Sequence, residues 1–267
     1  MKKFAKKLKS LFWGDEKLKG GSALFVFMAV LSVVAMITSN VLAGKSFSLF
    51  GWSIGGADLV LTCGVLVFPV TYILSDLFSE VYGFSASRRV TWLSFFCNLF
   101  FVAFISFGIL IPGANYYYEN IVSDGLVAGL GLDFLKGGNN LGSLGILIAS
   151  LIAFTVGSWL DDIVFEKIKQ RTTKDGDSTG KFVLRAVGSS LAGELADSLI
   201  FIPLLYLFTN AFGSTITNFG QLIAIVCIQA FIKTLYELIV SPFTAFLAKK
   251  IKNYEQKEKA NESIGVK

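Results

Sequence analysis

The chain has 267 residues, 54% of them hydrophobic and 16% charged, against roughly 25% charged in soluble domains. Mean hydropathy is +0.65, net charge is +5, and histidine is absent. Together these exclude a large soluble catalytic domain, His-based metal sites and Ser-His or Cys-His nucleophile pairs, and nothing calls for a nucleic-acid partner.

The expected fold class is all-α: a polytopic membrane protein with six transmembrane helices and both termini in the cytoplasm. Residues 1–21 form a basic N-terminal segment. Phe4, Leu8, Leu11 and Phe12 recur there at helical spacing among lysines. The segment reads either as an interfacial helix on anionic lipid or as a positive-inside tag, rather than as a cleaved signal peptide.

A span needs about 20 mostly apolar residues. Six stretches qualify, at 22–42, 59–80, 90–111, 144–163, 182–208 and 219–247. They define a transmembrane domain over 22–248, followed by a polar tail over 249–267 that is expected to fray. The connection 112–141 is the longest and is rich in Gly, with the run Tyr116, Tyr117, Tyr118. It reads as a lid or as interfacial aromatic packing. Cys63, Cys97 and Cys227 are far apart in apolar stretches and read as buried small hydrophobes.

Basic residues orient the spans. The N-terminal segment, the 88–89 turn, the 167–185 region and the C-terminal tail hold 21 of the 24 Lys and Arg residues. Alternate loops hold only Lys45 and Lys136, and Lys233 lies within the sixth span. Six spans with both ends inside fit this alternation.

Ionisable groups within the spans are the main functional signal. Each carboxylate costs roughly 2.5–3.5 kcal/mol at the centre of a membrane helix. Residues three or four apart share a helix face. Pro69, Tyr72, Asp76 and Glu80 therefore form one stripe in the second span. Ser190, Glu194, Asp197 and Phe201 form another in the fifth, and Gln229, Lys233, Tyr236 and Glu237 a third in the sixth. Lys233 lies at the depth of Glu194 and Asp197 and is expected to pair with one of them. Arg185 lies about one turn into the fifth span, on a small-residue face with Gly188, Ala192 and Ala196 that reads as helix contact. Arg88 and Arg89 are expected partners for Asp76 and Glu80. Asp161 and Asp162 read as an interfacial cap or a site, and Asn40 and Asn98 as isolated amides.

These groups are either an ion-pair network that sets helix register or the walls of a polar, ligand-sized hollow. The second and fifth spans each carry a carboxylate pair. Three spans per half would insert in opposite orientations, the topology of a 3+3 inverted repeat, whose sites lie near the midplane.

Several stretches resemble one family. FPVTYILSDLFSEVYGFSASRRV (68–90), IASLIAFTVGSWLDDIVFEKIKQRT (148–172), LRAVGSSLAGELADSLIF (184–201), IKTLYELIVSPFTAFLAKKIK (232–252) and SNVLAGK (39–45) are similar to the bacterial queuosine precursor transporters, a group once described as vitamin uptake proteins. The resemblance implies a six-span importer in the cytoplasmic membrane for 7-cyano- or 7-aminomethyl-7-deazaguanine. It implies polar roles for Asp76, Glu80, Arg185, Glu194, Asp197 and Lys233, and no cofactor. Relatives commonly carry Gln where this chain has Glu194, which leaves substrate preference open.

The residues suit such a ligand. A guanine-type edge offers two adjacent N–H donors, and a carboxylate offers two matching acceptors. Glu194 or Asp197 could hold that edge, with Tyr72, Tyr236 or Phe201 stacking on the ring. A nitrile would favour a donor such as Lys233 or Gln229. Glu237 completes the candidate set. The expected partners are the base and the bilayer; self-association stays open. Competing readings are the substrate-binding subunit of an energy-coupling vitamin transporter, which needs a separate ATPase, an intramembrane enzyme using paired carboxylates, and a scaffold without ligand. The segment GDSTGKF (176–182) lacks the spacing of a phosphate loop.

Overall fold

The computed structural model describes residues 22–43, 46–54, 57–111, 141–172, 178–209 and 219–264. The basic N-terminal segment and nearly all of the 112–141 connection lie outside the described residues. Six helices carry the fold: α1 (Ala23–Ala43), α2 (Phe68–Val81), α3 (Phe84–Leu110), α4 (Leu141–Thr172), α5 (Thr179–Thr209) and α6 (Phe219–Ile264). Six segments, one per helix, are long and apolar enough to cross a membrane. The all-α, six-span expectation therefore holds.

The hydropathy is turned inside out. Large apolar side chains point outward from five helices, including Phe27 and Val30 on α1, Phe96, Phe100 and Phe104 on α3, and Phe231, Ile239 and Phe243 on α6. Hydrocarbon solvates such a surface, so nothing drives it inward. The interior instead collects Arg88, Arg185, Lys233 and seven carboxyl side chains from the spans. Helix α2 is the enclosed one: Phe68, Tyr72, Asp76 and Glu80, one per turn, are all buried.

The connection from α1 to α2 differs from expectation. A two-stranded antiparallel hairpin, β1 (Ser46–Ile54) and β2 (Ala57–Thr62), precedes a short 3-10 turn at Cys63–Leu66. The second span therefore begins as strand and tight turn, and its α-helix proper has only 14 residues, about 21 Å of rise. Phe68 and Pro69 occupy its first turn, where a missing N–H is harmless. The Ser39 hydroxyl donates to the Gly64 carbonyl at 3.1 Å, tying the 3-10 turn to the end of α1. Gly83 has φ +90°, a conformation costly for side chains, and it turns the chain from α2 into α3.

Helices α4 and α5 make the most extensive interhelical contact. They cross at Gly157 and Gly193. A Cβ on Gly193 would sit 2.8 Å from both Asp161 Cβ and the Tyr72 ring and 2.9 Å from the Gly157 carbonyl oxygen. Small residues at a crossing let backbones approach, and here they also admit a tyrosine from a third helix. Gly188 packs similarly against Ile168 of α4.

The tail does not fray. Helix α6 runs unbroken to Ile264. Glu255 on it is buried and accepts hydrogen bonds from Tyr82, at 2.7 Å, and from Ser22. Burial and the Glu255 carboxylate push the Tyr82 hydroxyl above its ordinary range. Pro242 lies within α6. It cannot donate to the carbonyl of residue 238, and the Ser241 hydroxyl bonds that oxygen instead at 3.2 Å. Cys227 is exposed on the outward face of α6, not buried as expected.

Gly193→Ala should lower the melting temperature in detergent by several degrees, as overpacking costs about 1–3 kcal/mol. Gly108→Ala, where a Cβ meets nothing within 4 Å, should leave it unchanged.

Candidate functional site

The buried polar groups sort into three layers along α2. The first surrounds its start. Lys233 Nζ lies 2.7 Å from Asp197 Oδ2 and 4.1 Å from the centroid of the Phe68 ring. The ammonium is thus answered by a carboxylate on one side and an aromatic face on the other. Lys233 pairs with Asp197 rather than Glu194. Both charges line a cleft with Gln229, Phe201, Phe68 and Asn40, floored by the 3-10 turn. Gln229 Nε2 has no hydrogen-bond partner among the described residues. The Asn40 amide donates to Asn98 at 2.7 Å and accepts from Ser150. These amides are therefore joined across three helices rather than isolated.

The cleft is narrower than the hollow expected from sequence. Its volume of about 30 Å³ holds one or two waters. Asp197 and Lys233 fill each other's coordination, so a ring-sized guest has to part them.

The second layer lies about two turns further along α2. Asp76 faces Glu237 at hydrogen-bonding range, and Asp161 is close to both. Ser189 Oγ reaches Asp76 Oδ1 at 3.5 Å. Neither oxygen of Asp161 or Glu237 makes a hydrogen bond of ordinary geometry among the described residues, although Ser189 lies close to Asp161. Glu194 sits between the layers, accepting from Thr234 at 3.1 Å through one oxygen and leaving the other without a donor. Tyr72 lies across the Gly157–Gly193 crossing with its hydroxyl buried and likewise without a partner. Asp162 is different. It accepts from Ser75 at 2.9 Å and Ser87 at 2.7 Å, and Arg88 lies 3.5 Å away. It ties α2, α3 and α4 together.

The third layer closes the far end of α2. Glu80 receives Arg185 at 3.2 Å, Lys169 at 3.5 Å, and Lys252. One carboxylate thus gathers cations from α4, α5 and α6. A cavity of about 260 Å³ opens beside it, lined by Lys249, Lys252, Thr179 and Phe182.

Of the predicted residues, Asp197, Lys233 and Gln229 meet at the cleft with Phe201. Glu194 and Tyr72 lie behind it, Asp76 and Glu237 deeper still. Glu80 and Arg185 form a separate cluster, about 18 Å along α2 from Phe68. Three expectations are corrected. Arg88 pairs with Asp162 and leaves Glu80 to cations from α4, α5 and α6. Asp161 and Asp162 are buried ten residues before α4 ends at Thr172, so they cap nothing. Tyr236 is exposed on the outward face and cannot stack in the cleft. Phe68, Ser39 and Ser150 carry no signal in the sequence, because a phenylalanine or serine is unremarked in an apolar span.

Breaking the pair one partner at a time should be more harmful than removing it whole. Lys233→Met or Asp197→Leu should each lower stability by about 3–5 kcal/mol, and the double variant should recover much of that loss. Thermal unfolding of the three purified variants checks this.

Comparison with known proteins agrees with the geometry. No curated protein and no solved structure matched. The chain matches the family described as "Putative vitamin uptake transporter" over residues 62–247, which runs from the end of β2 into α6 and includes most residues of the three layers, Asn40 and Lys252 lying outside it. The chain belongs to that family: it is a multi-pass membrane protein of a small-molecule uptake transporter family.

Proposed function

We propose that this chain imports a flat, polar heterocycle of the 7-deazaguanine class, in its 7-cyano or 7-aminomethyl form. The observation that carries the reading is the Asp197–Lys233 pair, a carboxylate and an ammonium buried together at membrane depth, with the ammonium over the Phe68 ring and Phe201 lining the same cleft. A pair that served only register would need no cleft beside it.

The proposed binding step is an exchange. The base edge, with two adjacent N–H donors, replaces the ammonium at Asp197. Lys233, released, donates to the nitrile or ring carbonyl, and Gln229 adds a further donor. The ring is held between Phe68 and Phe201. A 7-aminomethyl cation would draw on Glu194, whose second oxygen has no donor among the described residues.

Orientation follows the basic residues. Both termini face the cytoplasm of a bacterial cell membrane, so the Glu80 cluster lies on the inner side and the cleft toward the outer side. Separation of the cations from Glu80 opens the inner end, and the two three-helix halves rock about the site. The base arrives inside unmodified, and the chain is a carrier rather than an enzyme.

Uptake of labelled 7-cyano- and 7-aminomethyl-7-deazaguanine into cells lacking their own importer tests this. The wild-type chain should restore uptake. Asp197→Asn should reduce it at least about tenfold, since a charge-assisted contact is worth roughly 1.5–3 kcal/mol. Glu194→Gln should weaken the aminomethyl form more than the cyano form. Uptake by the purified chain alone in liposomes would exclude a required ATPase, and recovery of an altered base would overturn the carrier reading.

A further inference from the structure

Between the cleft and the inner cavity lies a run of acids that substrate binding does not use. Asp161 of α4, Asp76 of α2 and Glu237 of α6 are each at most 1% exposed. Tyr72 and Asp76 face Asp161 from α2, Ser189 and Glu194 from α5, and Glu237 from α6. Asp162, its neighbour on α4, is held by Arg88 of α3. Lys233 is held by Asp197, and Arg185 by Glu80. Arg88 also attracts Asp161 from α3, yet no oxygen of Asp161 or Glu237 has a hydrogen-bonding cation among the described residues.

Two further observations point to what belongs there. Glu237 and Asp76 face each other at hydrogen-bonding range, yet neither oxygen of Glu237 nor Oδ2 of Asp76 has a donor. Two carboxylates can bond to each other only through a proton that one of them holds. The buried Tyr72 hydroxyl also has no partner. It stands at the Gly157–Gly193 crossing close to Glu194, Asp197 and Asp161. A phenol donates and accepts, so it can pass a proton between acids that do not touch. Among the described residues there is no carboxylate group arranged to hold a metal ion.

We propose that Asp161, Asp76 and Glu237, reached through Tyr72 and Glu194, form a proton-binding site that couples inward movement of the substrate to inward movement of a proton. The path runs from the Asp197 cleft to Glu80 and the 260 Å³ cavity beside it. One proton enters with each base, resides on a carboxyl of this group while the inner end is shut, and leaves to the cytoplasmic side when the cations separate from Glu80. Only O–H bonds break and form, and the transmembrane proton gradient supplies the work. This proposal rests on the transport reading above, and its test separates the two.

The purified full chain is placed in liposomes buffered at pH 7.5 inside and 6.5 outside, with neutral labelled 7-cyano-7-deazaguanine outside. The base should accumulate inside, up to about tenfold for one pH unit at one proton per base, and a protonophore should abolish the accumulation. Asp161→Asn should lose gradient-driven accumulation yet still exchange labelled for unlabelled base across equal pH. A pH-sensitive dye trapped inside wild-type liposomes should report acidification when base is added to the outside, a readout that needs no variant. Exchange without any response to the pH gradient would overturn the coupling and leave the transport reading standing. So would accumulation that follows a sodium gradient instead. Neither entry nor exchange of the base would overturn both.

Discussion

A charge placed in hydrocarbon has to be answered within a few ångströms, and α2 is where this protein arranges the answers. Its buried stripe places one functional side chain on each turn: an aromatic face against Lys233, a phenol at the crossing of α4 and α5, a carboxyl among carboxyls, and a carboxylate collecting three cations. The partners come from α4, α5 and α6. The relative depth of α4, α5 and α6 is therefore fixed by charge matching along a single rod. Apolar packing alone would not do this, because lipid solvates the same surfaces equally well.

Buried ion pairs are weak sources of net stability and strong penalties when half removed. That asymmetry suits a machine that must change shape. The Glu80 cluster and the Asp197–Lys233 pair hold the two ends of the buried stripe with contacts that water or a ligand can replace at modest net cost. The Asp162 knot adds two serine hydrogen bonds on Oδ1 to the Arg88 contact at 3.5 Å and joins α2, α3 and α4. Fixed and exchangeable contacts are thus made from the same chemistry and differ in how many hydrogen bonds complete them.

Much of this was legible in the residues. The six spans follow from hydropathy. The stripes on α2, α5 and α6 follow from helical spacing, and a pairing of Lys233 with Glu194 or Asp197 follows from equal depth. What was not legible is long-range. Arg88 and Arg89 follow Glu80 closely in sequence, yet Gly83 turns α3 away and Arg88 meets Asp162. The β1–β2 hairpin hides in a stretch whose hydropathy suits a span, because apolar strands and buried helices are alike to a hydropathy scale. The polar tail looked solvated because single residues such as Glu255 and Lys252 reveal nothing of partners 170 or more positions away.

Helix α6 gives the arrangement a mechanical consequence. One 46-residue rod carries Lys233 at the cleft, Glu237 in the acid group, and Lys252 and Glu255 at the Glu80 end. Pro242 stands between the last two and the rest, with its lost backbone bond already replaced by Ser241. The wall of the cleft and the Glu80 cluster are accordingly linked through one joint. If the joint stays stiff, prising the tail loose tilts the wall of the cleft. If it flexes, the two ends can move in turn, which is the order an alternating carrier requires.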